Sequence, residues 1–269
     1  MTPELSSVVS VKRDGPVATV TLARPEARNA VSAAMLERLV AALGDLAVAD
    51  DVRAVVLGGE GPDFCAGADF GELAGARSGP EGIDYGRAFE EALAAIEHHP
   101  TPVIARVQGA ALGAGCQLVT ACDLAVAADD ARLGIPSARL GILINFENIQ
   151  RLVLAVGPKR AAEVLVTGRR LSGAEAAAWG LVNRAVPATE LERATADLAA
   201  EVAEAAPLSV RGSKRGIRVV LENLSVDRFT EGHRVADFDM MAAAAFASED
   251  LQEGIRAFRE RRRPRFEGR

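Results

Sequence analysis

The sequence predicts a layered α/β fold that gives way to helices toward its C-terminus. Three observations carry that prediction. Short apolar runs of strand length alternate with segments whose apolar residues recur at helical spacing, as far as about residue 157. Beyond that point the pattern is mainly helical. Two glycine/alanine-rich turns, Phe64-Cys65-Ala66-Gly67-Ala68-Asp69 and Leu112-Gly113-Ala114-Gly115-Cys116-Gln117, each follow a strand-like run.

The first element reads as a hairpin. Val8, Val9 and Val11 lead to Asp14-Gly15, and Val17 to Leu22 returns. Arg24-Pro25-Glu26 breaks the second strand. Ser32 is placed to cap an amphipathic helix with Met35, Leu36, Leu39, Val40, Leu43 and Leu46 on one face. Val52 to Leu57 reads as a buried strand that runs into the first turn. Gly71 to Gly82, rich in glycine and proline, reads as a mobile loop. Residues 84–98 form a helix with Phe89, Leu93 and Ile96 inward. The strand Pro102 to Val107 leads to the second turn, a helix over about 114–122 and the strand Leu124 to Ala128. A short strand falls near Leu181–Val186, and helices fall at 189–205, 208–222, 226–247 and 249–263. A weak boundary near Ala206-Pro207 divides an α/β core over 1–206 from a helical region over 207–269.

Composition narrows the class. A chain of 269 residues, 49% hydrophobic and 25% charged, buries a full core without covalent staples. Its net charge of −6 argues against a nucleic-acid partner. Only Lys12, Lys159 and Lys214 are lysines, so nearly all 31 basic residues are arginines. Cys65, Cys116 and Cys122 are odd in number and form no C-x-x-C pair, so neither a disulfide framework nor a zinc site is suggested, and a cytoplasmic location fits. The first residues carry no basic segment followed by an apolar one, so no signal peptide is expected. The most apolar stretch, Gly109 to Ala128, contains Gln117 and Asp123. An Asp at mid-span costs about 2.5–3.5 kcal/mol, so no membrane span is expected. His98 and His99 read as a surface helix end and His233 as structural, and no metal site is expected.

A loop that leaves a strand and opens a helix points unpaired N–H groups outward, with the positive end of the helix dipole behind them. Two such groups from separate turns can converge on one carbonyl oxygen as an oxyanion hole. Glycine and alanine permit the ligand to approach the backbone itself. Tight packing of strand against helix explains the same residues. A third reading takes Gly109 to Gly115 as a G-x3-G-x-G dinucleotide turn with Asp129 about 20 residues on. That reading lacks its Tyr-x3-Lys partner, since Tyr85 has Phe89 at that offset.

Taken together, the motifs resemble the crotonase (enoyl-CoA hydratase/isomerase) superfamily over nearly the whole chain. They include Arg24 to Ala30, Phe64 to Asp69, Pro102 to Ala105, Gly109 to Cys116, Cys122-Asp123, Gln150 to Leu152, Thr167-Gly168, Ala178 to Val182 and Phe258 to Pro264. The resemblance implies a spiral of ββα units with a helical C-terminal trimerisation region, and hence homotrimers or hexamers. It implies an acyl-CoA thioester ligand, with coenzyme A carried as part of the substrate and no permanently bound cofactor. By position, it puts the oxyanion N–H groups on Ala68 and Ala114. It puts Cys65, Ala66, Ala68 and Asp69 along the adenine and pantetheine, Arg28 near the phosphates, and Phe258 and Arg262 where a neighbouring subunit touches coenzyme A.

The chain departs from the superfamily's hydratases. These hold one water between two glutamates, and the two positions here are Gln117 and Ser137. An amide cannot act as a base and a serine hydroxyl is a poor one. Some isomerases and dehalogenases of the superfamily place an acid further on, at a position that aligns with Asn145, two residues before Glu147. Glu147 is the candidate for a relocated acid or base, its other role being a first-turn carboxylate favoured by the helix dipole. Three functions follow: an enolate-stabilising isomerase or lyase, a hydratase acting through Glu147, and an acyl-CoA binder that has lost catalysis.

Overall fold

Residues 8–69, 71–72, 80–226, 240–241 and 243–267 are described in the computed structural model. Val9–Asp14 (β1) and Val17–Leu22 (β2) pair antiparallel around the left-handed Gly15. Ala18, Val20 and Leu22 of β2 are buried in alternation, as the period of a strand requires. Ala54–Gly59 (β3), Val103–Val107 (β4), Leu124–Ala128 (β6) and Arg184–Val186 (β9) extend this sheet in parallel, in the order β1-β2-β3-β4-β6-β9. β3 continues two residues past its predicted end because Gly58 and Gly59 carry no side chain. A Cβ at Gly59 would stand 2.4 Å from the carbonyl oxygens of Asp63 and Phe64.

A second sheet was not legible in the sequence. Ala110–Leu112 (β5), Arg132–Gly134 (β7) and Leu171–Ser172 (β8) pair in the order β5-β7-β8. Strands of two or three residues are too short to show a period of two. The chain therefore alternates between sheets: β4 lies in the large sheet and β5 in the small one, then β6 in the large and β7 in the small. This alternation, with helices between, winds the chain into the expected spiral.

Helices cover the sheets. Ala33–Ala47 (α1) is capped by Ser32, whose Oγ accepts from the Met35 N–H at 3.2 Å, and it buries Met35, Leu36, Leu39, Leu43 and Leu46. Pro80–Glu97 (α2) buries Phe89, Leu93 and Ile96. Of the loop expected over Gly71 to Gly82, residues 71–72 are helical, 80–82 open α2 and 73–79 lie outside the described residues. Ala114–Ala121 (α3), Phe146–Val156 (α4), Pro158–Thr167 (α5), Gly173–Trp179 (α6) and Leu191–Glu204 (α7) follow. Beyond them come Pro207–Val226 (α8) and Glu249–Arg259 (α9). The helix expected over 226–247 is described only at its ends, and α9 stops four residues before its expected limit.

α8 is fastened to the core by polar contacts. The Lys214 ammonium donates to Asp123 Oδ2 at 2.7 Å and to the carbonyls of Ile96 and Thr101 at 3.2 and 3.3 Å. The adjacent His99 is buried, not at the surface as its sequence context implied. Its Nδ1 is bound at Thr101, and burial lowers its pKa. His233 lies outside the described residues. Among the described residues no helix is long and apolar enough to cross a membrane.

Glu97, at the end of α2, sits between two guanidiniums. Arg151 on α4 reaches it at 2.9 Å and Arg218 on α8 at 3.0 Å. Burial pushes the Glu97 carboxyl up, but the two arginines outweigh it and hold the group below its usual value. A carboxyl with a depressed folded pKa contributes stability above its unfolded pKa and loses it as the pH falls through the folded one. Glu97→Gln is therefore expected to unfold more easily at neutral pH and to show a flatter loss of stability below about pH 4.5, measured by denaturant titration across pH.

Candidate functional site

The two turns are stitched together by backbone. Cys65 N donates to Ala110 O at 2.8 Å and Leu112 N donates to Cys65 O at 3.0 Å. Gly113, with φ of 54°, turns the chain into α3 and donates its N–H to Gly134 O at 2.9 Å. The approach is closest at Gly115, where a Cβ would stand 2.2 Å from the Cys65 oxygen. Gly109 to Gly115 does not act as one phosphate loop. Its first half is strand β5, and only Gly113 onward opens the helix.

Seven of the twelve N–H groups of these turns have acceptors; among the described residues, those of Gly67, Ala68, Ala114, Gly115 and Cys116 do not. Unpaired N–H groups away from solvent are rare, because each forfeits the hydrogen bond it would make in water. Both alanines line one cavity of about 670 Å³. Gln117 and Ser137 line it too, so these two residues face the same space.

One set of lining residues is cationic. Arg28, Arg132 and Arg170 all border the cavity. Arg28 is paired: its Nε and Nη2 donate to Asp63 at 2.7 and 3.1 Å, and that hydrogen bond holds the Asp63 carboxyl below its usual range. Arg132 and Arg170 have no acidic partner among the described residues. Burial and the neighbouring charges of Arg139, Arg132 and Arg28 lower the Arg170 pKa, the mark of uncompensated positive charge.

A second set comes from α2 and α4. Tyr85 and Phe89 stack with ring centroids 6.3 Å apart. Among the described residues the buried Tyr85 hydroxyl has no partner, and burial pushes its pKa above the usual phenol range, so it stays a neutral donor. Glu90 Oε1 accepts from the Nδ2 groups of Asn145 and Asn148 at 2.7 and 2.9 Å. Its Oε2 faces Arg151 Nη1 at 3.3 Å. Asn145 also caps α4, its Oδ1 accepting from Asn148 N at 3.1 Å.

Of the residues singled out by sequence, Arg28, Ala66, Ala68, Ala114, Gln117, Ser137 and Phe258 line the cavity. Four do not. Glu147 is exposed on the first turn of α4, because Asn145 and Asn148 take that helix's inward positions. Cys65 is buried behind the first turn, its thiol pushed up to about 12 by burial, so it packs and does not line the ligand space. Asp69 pairs with Arg24 at 3.1 Å and accepts from Gly71 N, ordering the turn. Arg262 is held by Glu253 and Glu260 in a charged groove of the C-terminal segment. Glu72, another acid near the first turn, accepts from Ala33 N and so caps α1.

Sequence reading missed Tyr85, Glu90, Arg132 and Arg170. On α2 a glutamate beside the buried Phe89 looks like the edge of a solvated face. Arg132 and Arg170 sit by strands too short to be recognised, and only the pairing of β7 with β8 brings them together.

A family model described as enoyl-CoA hydratase/isomerase matches residues 12–269. The chain is 33% identical over 262 residues to the short-chain-enoyl-CoA hydratase of Clostridium acetobutylicum, covering 97% of each. Among solved structures it is similar to enoyl-CoA hydratase subunit I of Geobacillus kaustophilus, with 37% identity, a TM-score of 0.75 and coverage of 97% of this chain and 98% of that one. It is also similar to a methylmalonyl-CoA decarboxylase in complex with 2-nitronate-propionyl-CoA, with 28% identity, a TM-score of 0.88 and coverage of 97% and 99%.

The contact at Gly115 yields a direct test. Gly115→Ala is expected to force the two turns apart, at a cost of about 1–3 kcal/mol or more, read as a lowered Tm. Gly44→Ala, where a Cβ meets nothing within 4 Å, is expected to leave Tm unchanged or raised.

Proposed function

The chain belongs to the enoyl-CoA hydratase/isomerase family, and from that membership we propose that it binds an acyl-CoA thioester in the cavity and stabilises its enolate on the N–H groups of Ala68 and Ala114. One observation carries the proposal: two unpaired backbone donors from separate turns border the same cavity. A thioester oxygen that gains charge as the enolate forms accepts both at once. Such donors contribute most in the transition state, and losing one costs about 10²–10³ in rate. The uncompensated Arg132 and Arg170, with Arg28, supply the charge that coenzyme A phosphates require. Tyr85 adds a neutral donor, and Phe89 apolar surface, for the acyl group.

The reaction favoured is a proton shift through the enolate, as in double-bond isomerisation. Hydration by a pair of carboxylates lacks its groups, since Gln117 and Ser137 occupy those positions. A second reading, decarboxylation of a malonyl-type thioester, is supported by the TM-score of 0.88 to the decarboxylase. It needs no base: the bond to the carboxylate breaks, CO₂ leaves, and the electron pair enters the same enolate, which then takes a proton from solvent.

A panel of 2-enoyl-, 3-enoyl- and malonyl-type CoA thioesters, with products followed by chromatography and mass detection, tests these readings. Binding of the esters and conversion of the 3-enoyl thioester are expected. Glu147→Gln is expected to leave turnover within twofold. Loss of CO₂ from the malonyl-type ester establishes the second reading instead, and binding without any product establishes a carrier. No binding of any ester overturns the proposal.

Self-association as a homotrimer or hexamer is proposed with it. Leu208 is 84% exposed on α8, and Ile217 and Val220 of the same helix are exposed too, more apolar surface than one helix ordinarily leaves in water. Light scattering after gel filtration is expected to give three or six times the chain mass, and a monomer overturns this part.

A further inference from the structure

Glu90 is the one carboxylate among the described residues that line the cavity, and the proposed function leaves it without a role. Its side chain is 36% exposed, although two amides and a guanidinium hold it. Each carboxylate oxygen accepts at about two lone-pair sites. Oε1 has both filled, by Asn145 and Asn148, while Oε2 has one contact, to Arg151, and one site open. The donors thus fix the orientation of the group and leave a single acceptor position.

Asn145 explains why the acid stands on α2. Its Oδ1 caps α4 while its Nδ2 donates to Glu90 at 2.7 Å, so one side chain serves as acceptor at one end and donor at the other. An aspartate there would cap equally well and set a second negative charge against Glu90. An amide at this position and a carboxylate at residue 90 are complementary.

We infer that Glu90 is the base that moves the substrate proton, with Asn145, Asn148 and Arg151 as its positioning residues. The inference rests on the enolate reading of the cavity. Oε2 takes the proton from C2 of the bound thioester, and the C–H electron pair becomes the enolate, its charge on the thioester oxygen. In a 3-enoyl thioester the charge extends to C4. The same proton returns there, the double bond moves to C2–C3, and nothing is gained or lost overall.

The test is deuterium exchange at C2 of butyryl-CoA and 3-butenoyl-CoA in D₂O, with affinity measured alongside by calorimetry. General base steps contribute about 10²–10⁴, so Glu90→Gln is expected to slow exchange roughly 100-fold or more, with Kd unchanged. A loss below tenfold overturns the inference, as does loss of binding in place of exchange. If Glu90→Gln does not fold, Glu90→Asp decides: its carboxyl is drawn back by one methylene and exchange slows at least tenfold, an unslowed rate being contrary. Asn145→Asp is expected to move the rising limb of the pH–rate profile to higher pH, and an unmoved limb overturns the positioning role. Wild-type protein that binds both esters but exchanges neither refutes Glu90 as base while leaving acyl-CoA binding intact. Wild-type protein that binds neither refutes the enolate reading itself.

Discussion

Only a hydrogen on the α-carbon of Gly115 lets the second turn meet the carbonyl of Cys65, since a Cβ there would stand 2.2 Å from that oxygen. The approach of two backbones organises the rest of the cavity. It aligns Cys65 with β5 through the bonds to Ala110 and Leu112, so strand β5 and the first turn move as one piece. That alignment leaves the N–H groups of Ala68 and Ala114 without acceptors. Backbone donors held by packing cannot swing away as side chains can. They therefore need no reorganisation when charge develops on a ligand.

Behind the turns runs a chain of charges. Glu90 contacts Arg151, Arg151 contacts Glu97, and Glu97 contacts Arg218 on α8. The Arg151 guanidinium sits between acceptors, which offsets the cost of taking it from water, whereas Arg218 meets Glu97 and its buried Nε has no partner among the described residues. The chain joins a cavity-lining group to the C-terminal helix, so the acid's orientation is tied to the docking of α8. Lys214 ties the same helix to Asp123 a turn earlier. The helical C-terminal region thus contributes to the geometry of the cavity, which its Phe246 and Phe258 also line.

The two sets of lining residues divide the cavity chemically. Arginines without acidic partners suit an anionic ligand, while Tyr85, Phe89 and Glu90 present an aromatic surface with one neutral donor and one acceptor. A thioester of coenzyme A joins an anionic end to an acyl end through an amide-bearing arm. The backbone donors suit the thioester oxygen where these parts meet.

Local chemistry alone placed much of this protein. The alternation of Ala18, Val20 and Leu22, the cap at Ser32 and the face from Met35 to Leu46 depend on neighbours within a turn or a strand, and the sequence carries them directly. The glycines and alanines of both turns were legible because close backbone approach admits few other residues. Tertiary structure decided which acid faces the cavity. Glu147 and Glu90 are both glutamates on helices, and nothing within four residues of either distinguishes them. Glu147 points to solvent because Asn145 and Asn148 turn inward, and they do so to meet Glu90, 55 and 58 residues away in the chain. A contact of that separation is set by how α2 packs on α4, which no local pattern records.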